Sequence, residues 1–259
     1  LTFSSPRDRY LRSSCTSNRA SSWLLGHQLP ASVTSSALSL KRGSLFDSVR
    51  PYRFLNAKVN ASSGLGGRDT GAAAQTLQAG FQQGAVFTGL TQPTAVKFAS
   101  DGRVFVAEKS GLIKVFDNLA DTTPTVFADL RTNVHNFWDR GLLGLELHPN
   151  FPSTPYVYVL YALDAPIGGT APRWGVAGMT TDPCPSPPGA TADGCVVGAR
   201  LSRLTASGNV ATGPETVFLE DWCQQYPSHS IGTIAFGSDG ALYVTGGDGA
   251  SFNFVDYGQ

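Results

Sequence analysis

Residues 228–253 read SHSIGTIAFGSDGALYVTGGDGASFN. Two short runs with apolar and β-branched residues flank Asp239-Gly240, a pair that favours the backbone angles of a tight turn, so the pattern predicts a β-hairpin. Antiparallel pairing brings the two outer ends of a hairpin to the same edge of the sheet. We therefore expect His229, before the first strand, to lie near Asp248, after the second. Taken singly, the two residues also fit a loop contact and a turn cap.

The hairpin sequence recurs upstream. FASDGRVFV at 98–106 matches FGSDGALYV at 236–244, and a more distant copy, LHPNFPSTPYVYV, occupies 147–159. The starts are 49 and 89 residues apart, and the longer interval contains a Pro/Gly-rich insertion at 165–194. Repeats of roughly 40 to 50 residues with four short strands each are typical of propeller blades. The sequence therefore predicts an all-β propeller in preference to a sandwich, which does not repeat such a hairpin at this interval.

The repeats divide the chain into two parts. Residues 81–259 are predicted to hold about three blades, and because a closed propeller needs at least four, we expect a piece of a larger propeller. Residues 1–80 are rich in Ser and Arg without strand or helix periodicity, which predicts a disordered leader, either transit-peptide-like or artefactual. The first strands are predicted at 85–90, 94–99, 104–109, 112–117 and 125–130.

Charge and hydropathy exclude two classes of partner. Residues 1–60 carry nine basic and two acidic groups, which leaves ten basic and seventeen acidic groups, a net of −7, for the rest of the chain. Nucleic-acid binding requires a basic surface, so no nucleic acid is expected as a partner of the folded part. No apolar run approaches the roughly 20 residues that span a bilayer, so no transmembrane segment is expected.

The four cysteines lack the CxxC spacing and the nearby histidine pair that are typical of zinc sites. Cys184 and Cys195 flank the Pro/Gly-rich loop of the insertion, where a crosslink would restrain the chain, and they are the disulfide candidates. Such a disulfide implies an oxidising compartment. Cys223 has no evident partner, and Cys15 lies in the leader.

Three blocks of the sequence resemble the glucose/sorbosone dehydrogenase-like family, which includes soluble quinoprotein glucose dehydrogenase and the aldose sugar dehydrogenases. They are GLTQPTAVKFASDGRVFVAEKSGLIKVF at 89–116, DRGLLGLELHPNFPSTPYVYVLY at 139–161, and the block that starts at His229. The resemblance covers 84–259 and implies a six-bladed propeller. It also implies pyrroloquinoline quinone (PQQ) over the central channel, Ca²⁺ that assists its binding, a small sugar substrate and an external electron acceptor.

The resemblance assigns roles to single residues. His229 matches the family's catalytic histidine, which takes the sugar hydroxyl proton as hydride passes to the quinone, a role that suits imidazole because it titrates near neutral pH. Asp139 and Asn253 stand where the glucose dehydrogenase has glutamines, and Ser228 stands where it has an aspartate, so the resemblance does not define which sugar is the substrate. Asp248 in GGDG matches a loop position that is common in the family and is interpreted as structural in preference to catalytic. The candidates for binding substrate or cofactor are Asp139, Arg140, Ser228, Asp248 and Asn253.

The cations that pair with the quinone and the calcium ligands are expected beyond Gln259, so no metal ligands are expected within the chain, and the chain by itself is expected to be inactive. A non-catalytic propeller that binds a carbohydrate or a protein partner is the alternative. A lactonase-like hydrolase would need more inward carboxylates and histidines than Asp139, His229 and Asp248, since His135 and His148 are interpreted as loop residues.

A nicotinamide enzyme is disfavoured, because no GxGxxG follows a strand and opens a helix. Family habit and the cysteines predict a secreted, extracellular protein, whereas the leader composition points to an organelle.

Overall fold

The structure, a computed structural model, describes residues 23–25, 84–189 and 194–251. The regular elements within these ranges are β-strands, and no helix in them is long and apolar enough to cross a membrane. The strands are β1 (Trp23–Leu25), β2 (Pro93–Phe98), β3 (Val104–Glu108), β4 (Leu112–Phe116), β5 (Thr125–Asp129), β6 (Leu142–Leu147), β7 (Tyr156–Leu163), β8 (Val197–Ser207), β9 (Val210–Gln224), β10 (Ile231–Phe236) and β11 (Leu242–Gly246).

The strands form three antiparallel sheets, which are the blades of a propeller. Blade 1 has the order β2-β3-β4-β5, blade 2 the order β6-β7-β8-β9, and blade 3 the order β1-β11-β10. The all-β prediction is therefore confirmed. The described blades do not close into a ring.

The three copies of the repeated hairpin occupy equivalent places. They form β2-β3, β6-β7 and β10-β11, the first two strands of each successive blade. Equivalent backbone hydrogen bonds close their turns: Ala99 N–H donates to Arg103 C=O (2.8 Å), His148 to Tyr156 (3.0 Å), and Gly237 to Ala241 (2.9 Å). Each copy of the sequence repeat therefore corresponds to the inner hairpin of one blade.

The inner strand of blade 2 joins the other two blades. Strand β6 contacts both β2 and β10. On the β2 side, Thr94 Oγ1 donates to Leu142 C=O (2.6 Å), and Lys97 Nζ pairs with Glu146 Oε2 (2.7 Å). Apolar side chains fill both inter-blade spaces. Phe105, Val115, Leu145 and Val157 belong to the core cluster of blades 1 and 2, and Leu160, Leu201, Ile234 and Val244 to that of blades 2 and 3.

Two sequence expectations differ from the fold. The predicted strand at 85–90 is wrong, because Phe87 covers a face of blade 1 by packing its ring on Phe116 at 3.8 Å and the segment pairs with no described strand. The 1–80 leader lies outside the described residues except for β1, which pairs with β11. An unpaired strand edge offers backbone donors and acceptors, which explains how a three-residue segment can join it.

Gly144 on β6 packs closely against side chains of blades 2 and 3. A Cβ atom there would lie 2.8 Å from Leu160 Cβ and 3.3 Å from Ile234 Cγ1. We expect Gly144→Ala to lower the free energy of unfolding by about 1–3 kcal/mol, the usual cost of overpacking a core. Chemical denaturation measures this, with Gly84→Ala as the control because its added Cβ would meet nothing within 4 Å. Equal stability of the two variants would contradict close packing at β6.

Candidate functional site

Three loops meet at one edge of the blades. They are the β5–β6 loop, the β9–β10 loop and the segment that follows β11. Asp139 N–H donates to Pro227 C=O (3.0 Å), and Gly249 N–H donates to His229 C=O (2.8 Å). These bonds bring Asp139, His229 and Asp248 to the same edge, as the hairpin geometry predicts for the last two.

His229 is held in an unusual backbone conformation. Its φ is +48°, in the left-handed region that few residues other than glycine adopt. Its Nδ1 lies 3.1 Å from Asp248 Oδ1, and each of the two side chains is 35% exposed. Asp248 Oδ1 also accepts the Ala250 N–H (3.1 Å), which fixes the carboxylate. An imidazole that is oriented by a fixed carboxylate and open to solvent is chemically able to accept a proton.

Ser228 connects the β9–β10 loop, which carries His229, to the segment after β11. Its side chain is buried, and its Oγ donates to the backbone carbonyl of Ala250. This contact ties the segment after β11 to the loop before β10, so Ser228 holds the histidine loop in place. The candidate Asn253 lies outside the described residues.

Arg140 does not face the site edge. It is fully buried, and its guanidinium donates to the backbone carbonyls of Cys195 (2.6 Å) and Gln224 (2.7 Å). Burial lowers the pKa of Arg140 to about 9, while the nearby Asp164 carboxylate opposes the shift. From this position Arg140 joins the loops beneath the site. It has no exposed surface that a substrate could contact, which does not fit its predicted role in binding.

Lys109 lies near Asp139 and was not among the sequence candidates. Its Nζ donates to Asn136 Oδ1 (2.6 Å). Burial lowers the pKa of Lys109, while the negative charge of Asp139 opposes the shift. Trp138, also missed, is 59% exposed with φ at +48°. The sequence signal for these two residues was their position: Lys109 directly follows a blade strand, and Trp138 directly precedes Asp139.

The insertion packs onto the β5–β6 loop. Asn136 N–H donates to Asp182 Oδ2 (2.7 Å), and Asp182 N–H donates to Asn136 C=O (3.1 Å). Asp164 accepts the backbone N–H of Trp174 (3.1 Å), and burial raises the pKa of Asp164 to about 6. The insertion therefore adjoins Asn136, which in turn holds Lys109.

A disulfide closes the insertion. Cys184 and Cys195 are bonded, with their Cα atoms 5.4 Å apart. Cys223, for which the sequence suggested no partner, is also disulfide-bonded, and no described cysteine is free. His135 lies beside the Cys184–Cys195 bond and is fully buried; burial, Arg140 and Lys109 lower its pKa to about 2, so it is neutral. His148 is a turn residue whose Nδ1 accepts the Asn150 N–H (3.1 Å).

The blades and their loops define the class of protein: a β-propeller with a histidine–carboxylate pair at the loop edge. The profile of the family "Glucose / Sorbosone dehydrogenase" matches residues 90–256, and the chain belongs to this family.

Relatives and solved structures are similar over part of their length. Hedgehog-interacting protein of Mus musculus and that of Homo sapiens are each 28% identical over 170 residues, which are 63% of this chain and 22% of the relative. A putative oxidoreductase (glucose dehydrogenase) of Thermus thermophilus is 30% identical, with a TM-score of 0.42, over 61% of this chain and 38% of that one.

The PQQ-bound form of aldose sugar dehydrogenase from Streptomyces coelicolor is 20% identical, with a TM-score of 0.46, over 64% of this chain and 41% of that one. The chain thus spans about a fifth of the Hedgehog-interacting proteins and about two-fifths of these solved structures.

Proposed function

We propose that this chain supplies the proton-accepting side of a PQQ-dependent sugar dehydrogenase. The observation that carries the proposal is the imidazole of His229, held at φ +48° and hydrogen-bonded to Asp248 at an open edge of the blades. Membership of the Glucose / Sorbosone dehydrogenase family supports the reaction class. The substrate is an aldose or a related alcohol, and the electrons leave to an external acceptor.

His229 accepts the proton of the substrate hydroxyl. Asp248 lies at Nδ1, so the proton is taken at Nε2, and the carboxylate stabilises the imidazolium that forms. Removal of this proton from the hydroxyl oxygen makes it easier for hydride to leave the carbon that bears that oxygen. PQQ, when bound, supplies the two-electron acceptor for that hydride.

The polar groups near His229 fit a polar substrate. Asp139 is exposed at this edge and offers a carboxylate that can accept hydrogen bonds from sugar hydroxyls. Trp138 next to it offers an aromatic face of the kind that packs on pyranose rings. We place the ligands of the quinone carboxylates and of Ca²⁺ outside the described residues.

The test is dye-linked oxidation across a panel of aldoses, with the longest natural form of the protein that contains this chain. PQQ and Ca²⁺ are added together and separately, and PQQ binding is measured by calorimetry. Turnover that requires PQQ supports the proposal. Absence of both PQQ binding and turnover would contradict it.

Asp248 is expected to position the base. Asp248→Asn keeps the size of the side chain but cannot stabilise an imidazolium, so we expect turnover to fall by at least about 10- to 100-fold, the loss that follows when a metal-bound histidine loses its carboxylate partner. Steady-state kinetics should show the loss in kcat with little change in KM. The matched control is Asp239→Asn, in the exposed turn of the same hairpin. Equal activity of both variants would remove Asp248 from the mechanism.

A second candidate function is the binding of a partner protein. It is favoured by the 28% identity over 170 residues with Hedgehog-interacting protein, whose name states an interaction and not a reaction. A binding module requires neither PQQ nor a base. Partner binding that is unchanged in a His229 variant, together with no sugar oxidation, would favour this function over the dehydrogenase.

For the location of the protein we propose secretion. The disulfide of Cys184 and Cys195 supports it, because such bonds persist in oxidising compartments. Reporter fusions and fractionation of the native host would distinguish secretion from an organelle.

A further inference from the structure

The Cys184–Cys195 disulfide lies among hydrogen-bond donors. His135 Nε2 is 3.7 Å from each of the two sulfur atoms, and Arg140 Nη1 is 3.4 Å from Cys195 Sγ. Arginine donates and never accepts hydrogen bonds. Arg140 therefore turns N–H groups toward Cys195, which is a setting for negative charge on that sulfur.

The tautomer of His135 adds a second donor. Arg140 Nη1 also lies 3.4 Å from His135 Nδ1, and because arginine only donates, we assign Nδ1 as the acceptor of this contact. The proton of the neutral ring is then on Nε2, the atom that faces both sulfurs. The backbone N–H of His135 donates to Ala162 C=O (2.8 Å), which fixes the residue.

The two sulfur atoms differ in accessibility. Cys195 is fully buried just before β8, whereas Cys184 is half-buried between the exposed Pro183 and Pro185. We therefore expect an incoming thiolate to attack Cys184, the more exposed residue of the two. Attack at Cys184 expels the Cys195 sulfur as a thiolate, and this is the sulfur that Arg140 and His135 face.

We propose that Cys184 is a site of reversible modification by a low-molecular-weight thiol of the glutathione class. The thiolate RS⁻ attacks Cys184 Sγ, an S–S bond forms between RS and Cys184, the Cys184–Cys195 bond breaks, and its electron pair leaves on Cys195 Sγ. A thiol-exchange step of this kind is fastest when the leaving thiolate is stabilised. The step reverses when the Cys195 thiolate attacks Cys184 Sγ: the Cys184–Cys195 bond forms again, the RS–Cys184 bond breaks, and its electron pair leaves on RS⁻.

The exchange would loosen the insertion. The Asn136–Asp182 hydrogen bonds hold the insertion to the β5–β6 loop, and the disulfide ties Cys184, two residues after Asp182, to Cys195 at the end of the insertion. Asn136 also accepts from Lys109. Opening the disulfide therefore removes a restraint on the segment around Asp182, which contacts Asn136 in the loop that carries Asp139.

The test treats the folded chain with reduced glutathione, quenches with iodoacetamide and identifies modified peptides by mass spectrometry. A chelator is present because His135, Cys184 and Cys195 could hold a metal ion once the thiols are free. We expect glutathione on Cys184 and the alkyl group on Cys195, formed faster than any alkylation of Cys223. Adducts on Cys195, or exchange no faster than at Cys223, would overturn the proposal.

A variant tests the role of the donors. His135→Leu removes the N–H that faces the sulfurs, and we expect exchange at Cys184 to slow by about 3- to 10-fold, since the leaving thiolate loses a hydrogen bond. His148→Leu is the control and should exchange at the wild-type rate. Limited proteolysis within 165–189 should accelerate with the extent of exchange. Exchange in His135→Leu at the wild-type rate would overturn the role of the donors. If His135→Leu does not fold, the choice between Cys184 and Cys195 in the wild type still decides the proposal.

Discussion

Replacing His229 with asparagine is expected to lower sugar oxidation by about 10²- to 10⁴-fold, the contribution of a positioned general base. Asparagine is the sharpest replacement, because it tolerates the left-handed φ of +48° better than most residues. It also keeps a polar side chain near Asp248 but cannot accept the proton. The loss should therefore appear in kcat, with PQQ binding and the melting temperature close to wild type.

The control for His229 is His148→Asn. His148 accepts a hydrogen bond within a turn, and an asparagine there can accept the same bond. Wild-type turnover in this control and loss in His229→Asn would assign the effect to the base. Turnover that survives in His229→Asn would rule out His229 as the general base.

The fold was predictable because its repeat is local. Each inner hairpin combines two runs of apolar and β-branched residues with a short turn. In two of these turns, Gly102 and Gly240 adopt φ of +95° and +79°. Both signals lie within about ten residues, so they can be read without knowledge of the fold. The same reasoning placed His229 and Asp248 at one edge, because both adjoin the same hairpin.

The support beneath the site could not be predicted in this way. Arg140 contacts residues 55 and 84 positions away, and His135 contacts a sulfur 60 positions away. These contacts depend on how loops of different length pack against each other, which no local pattern encodes. At 85–90 the local pattern predicted a strand that is absent. Apolar residues are needed both for a strand and for a segment that packs its side chains on blade 1, so composition alone could not separate the two.

Arg140 is expected to be the residue on which the loops beneath the site depend most. In Arg140→Met, the carbonyls of Cys195 and Gln224 lose their charged donor while they stay buried. Each unsatisfied buried acceptor costs about 1–3 kcal/mol, so we expect a loss of about 3 kcal/mol in the free energy of unfolding. At about 2–4 °C for each kcal/mol, the melting temperature should fall measurably under non-reducing conditions.

Arg131→Met is the matched control for Arg140→Met. Arg131 pairs with Asp129 at the surface (2.6 Å), and such pairs contribute about 0–1 kcal/mol. Similar losses in both variants would contradict a special role for the buried guanidinium. Arg140→Lys separates charge from geometry, because lysine keeps the positive charge but lacks the planar fork that reaches two carbonyls at once. A Lys variant as unstable as the Met variant would show that the paired hydrogen bonds, and not the charge near Asp164, hold these loops together.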